Sequence, residues 1–231
     1  MKIRDTMRNP EEHSLDSSLI RRRIQKWTYS YIMDKDVDWG ERRIRHHLDR
    51  WRARLPGPPR LAARARAGQA NLRKLAKLVP PRVHAVVFRT LFNGWYTDRR
   101  CAQNRESPCR LGCGHEHGRD SLEHYVCCKR LHDFARNYLR IPASVLGDVD
   151  FWLVTTHFEE ETTLVRLALL QYAAYRLRNF HAHSASLLSA PSAFSFLKRA
   201  VIQGASGHRR CRAALRALGA LQRAGPAASH A

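Results

Sequence analysis

Acidic residues are scarce in this sequence. Twenty Asp and Glu stand against forty-one Lys and Arg in 231 residues, which leaves a net charge of +21 and a pI near 10.8. No Tyr-x-Asp-Asp or similar paired-aspartate strand motif occurs, so the two-metal chemistry that rests on such a pair is excluded. The nearest acid pairs are Asp36 with Asp38, in a short polar stretch, and Asp148 with Asp150, beside Gly147. Solvated turns are expected at both. A long apolar run is missing too. The N-terminus, Met1-Lys-Ile-Arg-Asp-Thr-Met-Arg-Asn-Pro-Glu-Glu, lacks the apolar core of a signal peptide. The most apolar stretch, Leu164 to Leu177, is interrupted by Arg166 and Gln171, against a membrane span. An intracellular chain, nuclear or cytoplasmic and not secreted, is therefore expected, with no membrane partner. Its six cysteines should stay reduced. Alternating strand patterns, hairpin signals and internal repeats are also lacking.

What the chain does have is apolar residues at helical spacing, and the fold class expected is all-α. Ile44, Leu48, Trp51 and Leu55 form one stripe, broken by Pro56-Gly57-Pro58-Pro59. A basic helix follows from Arg60 to Leu78, with Arg73 and Lys77 one turn apart on an exposed face. Pro80 and Pro81 end it, and Pro81 suits the first turn of a helix running through Val83, Val87, Leu91 and Trp95. Leu164, Leu167, Leu170, Ala174 and Leu177 give the clearest amphipathic helix. A last helix spans Phe194 to Ile202 and resumes from Arg209 to Leu221, after a break at Gly204-Ala-Ser-Gly207. The organisation expected is a basic helical and linker region over 1–59 and a small irregular helical domain over 60–185. A basic Ala/Arg-rich helix and disordered tail would follow over 186–231, so that both termini are flexible and basic.

The sharpest local feature is a cluster of soft ligands. Cys109 and Cys113 lie in a Gly-rich turn, and His124 and Cys128 follow four residues apart on an expected helix. Four such donors match a closed tetrahedral zinc site. Gly112 and Gly114 flank Cys113 and permit the bend that brings both thiolates to one ion. Asp120 with Glu123 resembles a capping box, starting a helix at about Ser121 that continues to about Tyr138. On it, His124 and Cys128 share a face, and Cys127 points elsewhere. Cys128 is therefore favoured over Cys127 as fourth ligand, with His115, His117 and Cys101 as further donors near the turn. One structural Zn2+, held by Cys109, Cys113, His124 and Cys128 in a knuckle over 109–128, is the reading adopted. Structural zinc sites contribute roughly 10–16 kcal/mol to folding.

Three stretches together resemble a known family. They are Phe88-Arg-Thr-Leu-Phe-Asn-Gly-Trp95-Tyr-Thr-Asp-Arg-Arg-Cys101, Cys109-x3-Cys113-Gly and Asp120-Ser-Leu-Glu-His124-Tyr-Val-Cys-Cys128. They resemble the C-terminal CCHC-type zinc-binding segment of non-LTR retrotransposon reverse transcriptases. The resemblance covers about Val83 to Arg140. This chain has three residues between the first two cysteines where the family has two. It has three between His124 and Cys128 where many members have four. The resemblance implies a zinc knuckle that helps hold template RNA or target DNA, here without the polymerase. A separate reverse transcriptase polypeptide is an implied partner.

The basic composition agrees with a polyanion partner, bound with little sequence preference and with strong salt dependence. The residues expected to contact RNA or DNA surround the knuckle: Arg99, Arg100, Arg105, Arg110, Arg119, Lys129 and Arg130. Tyr125 is added as the ring that would stack on an unpaired base. Trp95 is assigned instead to packing against the knuckle, and Cys211 to a bystander role. The function expected is a noncatalytic, zinc-stabilised nucleic-acid-binding module. The alternatives are a helical structural or protein-interaction domain and a zinc-supported nuclease using His115-Glu116-His117 or His132-Asp133.

Overall fold

The computed structural model describes residues 37–52, 61–92, 94–95, 97, 108–114, 120–180 and 188–219. The chain divides into two units, 1–40 and 41–231, and all described residues but 37–40 belong to the second. Among the described residues there are ten helices and no strand, so the chain is all-α. They are α1 (Val37–Arg52), α2 (Leu61–Leu78), α3 (Pro81–Leu91), α4 (Leu122–Cys127) and α5 (Lys129–Leu139). Two short turns of helix follow, α6 (Ala143–Leu146) and α7 (Val149–Trp152). Then come α8 (Glu161–Phe180), α9 (Ala190–Ala205) and α10 (Arg209–Arg216). No described helix is long and apolar enough to cross a membrane.

Helix α8 is the axis of the fold. Its sequence reads as an amphipathic stripe, yet Val165, Ala168, Leu169 and Ala173 are buried as completely as the stripe of Leu164, Leu167, Leu170 and Leu177. It is enclosed, not amphipathic. Helices α2, α3, α5, α9 and α10 all pack against it. The polar residues it buries therefore need partners inside the protein. Gln171 is 0% exposed and donates through Nε2 to the Trp152 carbonyl at 2.6 Å.

The ends of the other helices follow their punctuation. Pro81 opens α3 at its first position, where its missing N–H costs nothing. That helix stops at Leu91, capped by Phe92, so the expected continuation to Trp95 does not form. Arg82 at its start donates from Nη2 to the carbonyls of Gln203 and Ser206, at 2.7 and 2.8 Å. It thereby satisfies the open carbonyl end of α9. Helix α9 runs through Gly204, and the break comes at Ser206 to His208, with Gly207 at φ 75°. The expected boundaries at 59/60 and 185/186 fall on residues outside the described ones, and α9 and α10 pack on α8. Cys211, expected as a bystander in a tail, is fully buried and donates to the Leu78 carbonyl at 3.3 Å. Residues 220–231, expected to be disordered, lie outside the described residues, as do Leu55 to Pro59.

The two acid pairs resolve differently. Asp148 caps α7, accepting from the Asp150 amide at 2.9 Å. Asp150 is half-buried, meets Arg64 at 2.5 Å and accepts from the Thr155 hydroxyl at 2.8 Å. That turn is a braced junction, not the solvated one expected. Asp36 lies outside the described residues, and Asp38 falls in α1.

The contact of α9 with α8 depends on a missing side chain. A Cβ placed on Gly204 would lie 2.8 Å from Tyr172 Cδ1 and 3.1 Å from Leu169 Cδ2, both buried on α8. Gly204→Ala should therefore lower stability by about 1–3 kcal/mol, the range for overpacking, despite the better helix propensity of Ala. Urea denaturation of the variant checks this. A stability equal to or above that of the parent would mean that the two helices can part without cost.

Candidate metal centre

Three short segments build the centre, and the local sequence shapes each. The first is the turn at Cys109 to Gly114. The Gly112 amide donates to the Cys109 carbonyl at 2.8 Å, and Gly112 and Gly114 sit at φ 59° and 71°. A side chain at either position would be strained. The second is the start of α4. Ser121 is its N-cap and accepts from the His124 amide at 3.1 Å, which fixes the backbone that carries the imidazole. The expected cap, Asp120, is one residue too early, and its carboxylate goes elsewhere. The third is the junction of α4 and α5. The expected single helix is interrupted at Cys128, whose φ −68° and ψ 113° make it C-cap of one helix and N-cap of the next.

These segments bring Cys109, Cys113, His124 and Cys128 together. Their donor atoms all lie within 4.8 Å of one another. Cys109 Sγ is 3.9 Å from Cys128 Sγ, and Cys113 Sγ is 3.3 Å from His124 Nε2. A tetrahedral zinc with bonds of about 2.3 Å to sulfur and 2.0–2.1 Å to nitrogen would require edges of roughly 3.6–3.8 Å. The group can hold a metal ion, and its chemistry is compatible with zinc. Four protein donors leave no open position, the form of a structural site and not a catalytic one. Cys127 is exposed and outside the cluster. His115, His117 and Cys101 lie outside the described residues. None of the described cysteines is in a disulfide.

The donors perturb one another. The Cys128 thiol, hydrogen-bonded to Cys109, draws the Cys109 thiol down to about 6 against the opposing effect of burial, and His124 assists. Cys128 is correspondingly pushed up, because its proton is shared with Cys109 and Cys113 and its surroundings are dry. Burial lowers His124, but the Cys109 and Cys113 sulfurs outweigh it and hold the imidazole above its usual value. At neutral pH the cluster thus carries one ready thiolate and protons that a metal must displace.

The residues expected to grip nucleic acid part company here. Arg99, Arg100, Arg105 and Arg119 lie outside the described residues. Arg110 is half-buried in the turn, and Lys129 is exposed at the start of α5. Arg130 donates from Nη1 to the carbonyls of Leu111 and Leu188, at 2.6 and 2.9 Å, and so ties the turn to the segment before α9. Tyr125 requires a correction. Its ring is 0% exposed and packs 5.6 Å from Trp95, so neither face is open to a base. Trp95 is likewise buried and donates to the Thr90 hydroxyl at 2.9 Å, as its packing role requires. His132 is tied to the Val126 carbonyl through Nε2 at 2.6 Å, and Asp133 to Arg136 at 3.0 Å.

Sequence reasoning missed the most buried polar feature beside the centre. Asp120 and Arg178 are each 1% exposed. Arg178 donates from Nε and Nη2 to one Asp120 oxygen at 3.0 and 2.9 Å, and the Tyr125 hydroxyl donates to the other at 2.5 Å. Burial and the neighbouring carboxylate keep that hydroxyl protonated. No local pattern announces a pair separated by 58 positions. The one available signal is a charged residue, Arg178, one place after the core leucine Leu177 in the enclosed helix α8.

Comparison with protein-family models, with curated proteins and with solved structures finds no match for this chain.

Removing one partner of the Asp120–Arg178 pair should leave a buried charge uncompensated. Arg178→Met should therefore destabilise by about 3–5 kcal/mol, and Asp120→Asn with Arg178→Met should recover part of that loss. Denaturant titrations of the single and double variants measure the coupling. Additive losses would show that the pair acts as two separate groups.

Proposed function

We propose that this chain is a noncatalytic nucleic-acid-binding module stabilised by one zinc ion at Cys109, Cys113, His124 and Cys128. The observation that carries the proposal is the convergence of those four donor atoms in a chain of net charge +21. Bound there, the ion would fix the turn, the start of α4 and the α4–α5 junction as one rigid unit. The arginine-rich surroundings would then hold phosphate groups in bidentate fashion. We further propose that the chain derives from the C-terminal zinc-binding segment of a non-LTR retrotransposon reverse transcriptase. The residues from Phe88 to Cys128 support this reading. The polymerase would have been lost or would reside on another polypeptide. With Tyr125 enclosed and Arg130 bracing the turn, the contacts fall to exposed cations such as Lys129, and base stacking by Tyr125 is no part of the proposal.

Metal analysis of purified protein should give one zinc per chain, lost in Cys128→Ser and kept in Cys127→Ser. A folded protein without zinc would remove the basis of the proposal. Acidification should weaken zinc binding, because protons compete for every donor, and the loss should steepen below about pH 6, where Cys109 becomes protonated. Competition with a chromophoric chelator across pH 5 to 8 reads this directly. Binding to RNA and DNA should fall steeply with added salt and vary little with sequence.

A further inference from the structure

Helix α10 is the most one-sided cationic element among the described helices. Cys211, Ala214 and Leu215 are buried, and Arg209, Arg210, Arg212 and Arg216 are exposed. At 3.6 residues per turn, Arg209, Arg212 and Arg216 lie within about 60° of one another, over about 10 Å of helix axis. The Cys211 thiol anchors the opposite side to the Leu78 carbonyl at 3.3 Å, so this face is held by the core and does not swing on a tail.

The charge here is uncompensated. No Asp or Glu occurs from residue 162 to residue 231, nor from residue 50 to residue 97, which includes all of α2. Among the described residues none of the four α10 guanidinium groups has a carboxylate partner. Helix α1 is the contrast, since Glu41 there meets Arg45 at 2.7 Å. Like charges gathered without counter-charges repel one another, and a rigid polyanion relieves that repulsion.

We infer that the exposed arginine face of α10 is a docking surface for the phosphate backbone of a nucleic-acid duplex. This rests on the function proposed above and moves its main phosphate contacts away from the zinc knuckle. A duplex is the occupant that fits. The face carries no aromatic side chain on which an unpaired base could stack, whereas a straight row of guanidiniums suits a regular array of phosphates.

The test is fluorescence anisotropy of the full zinc-loaded chain with short labelled DNA and RNA duplexes of arbitrary sequence. Salt is varied between about 50 and 200 mM. The parent should bind both duplexes. The triple variant R209Q/R212Q/R216Q should show a salt slope shallower by about 2.7, at about 0.9 per lost contact, and at least tenfold weaker binding. The charge-retaining R209K/R212K/R216K should keep the parent's salt slope while losing only the bidentate part of its affinity. Thermal melting of the glutamine variant at the parent's temperature would show that its loss is of contacts and not of folding. The single variants, each lowering the slope by about 0.9, serve if the triple variant fails to fold. A triple variant of equal charge loss on α1, R42Q/R43Q/R45Q, should bind nearly as well as the parent.

Unchanged binding and slope in the α10 triple variant would overturn this inference and leave the proposed function standing. So would an equal loss in the α1 triple variant, which would reduce the effect to net charge. Tighter binding to single strands or to phosphatidylserine vesicles than to duplex would overturn the choice of occupant. A parent that binds no nucleic acid would overturn both the inference and the function it rests on.

Discussion

The buried contact of Arg178 with Asp120 is the interaction on which the arrangement of this protein depends. It joins α8, the axis of the core, to the residue just before the Ser121 cap of α4, where the metal donors begin to converge. Taking two charges out of water costs several kcal/mol for each ion, and only good geometry with full hydrogen bonding offsets that cost. Both conditions are met. The guanidinium makes two bonds to one carboxylate oxygen, and the Tyr125 hydroxyl occupies the other. Tyr125 also packs against Trp95, which in turn lies 5.4 Å from Tyr175 of α8. One ion pair thus ties the core to the segment that carries the Cys/His cluster, and the aromatic side chains pack beside it.

Most of the secondary structure was legible, because helices announce themselves locally. Pro81, the Gly207 turn and the spacing of Ile44 and Leu48 all did what their chemistry implies. The Cys/His donors were legible for the same reason, since metal ligands of this kind come from short segments. Tertiary information was not. The stripe on α8 gave no sign that its other faces would be enclosed. Tyr125 stands next to a ligand in sequence, yet His124 turns into the Cys/His cluster and Tyr125 turns into the core. Cys128 shows that a spacing of four need not mean one continuous helix, because both flanking helices end on it.

Several of the scarce acids have defined partners in the fold. Asp120 meets Arg178, Asp148 caps α7, Asp150 joins α7 to Arg64 of α2, and Glu41 meets Arg45. Several arginines are likewise structural, with Arg82 closing α9 and Arg130 bracing the metal turn. The four arginines of α10 face solvent and, among the described residues, meet no acidic side chain. A basic sequence has therefore been divided into arginines that build the fold and arginines that give it its field. Composition alone reports only their sum.

The 58 positions between Asp120 and Arg178 also set an order of events during synthesis. Translation at about 5–20 residues per second delivers Arg178 some 3–12 seconds after Asp120. All four metal donors, from Cys109 to Cys128, precede it on the chain. The four donors are thus synthesised before the counter-ion of Asp120, and the burial of that carboxylate is completed only when α8 is made.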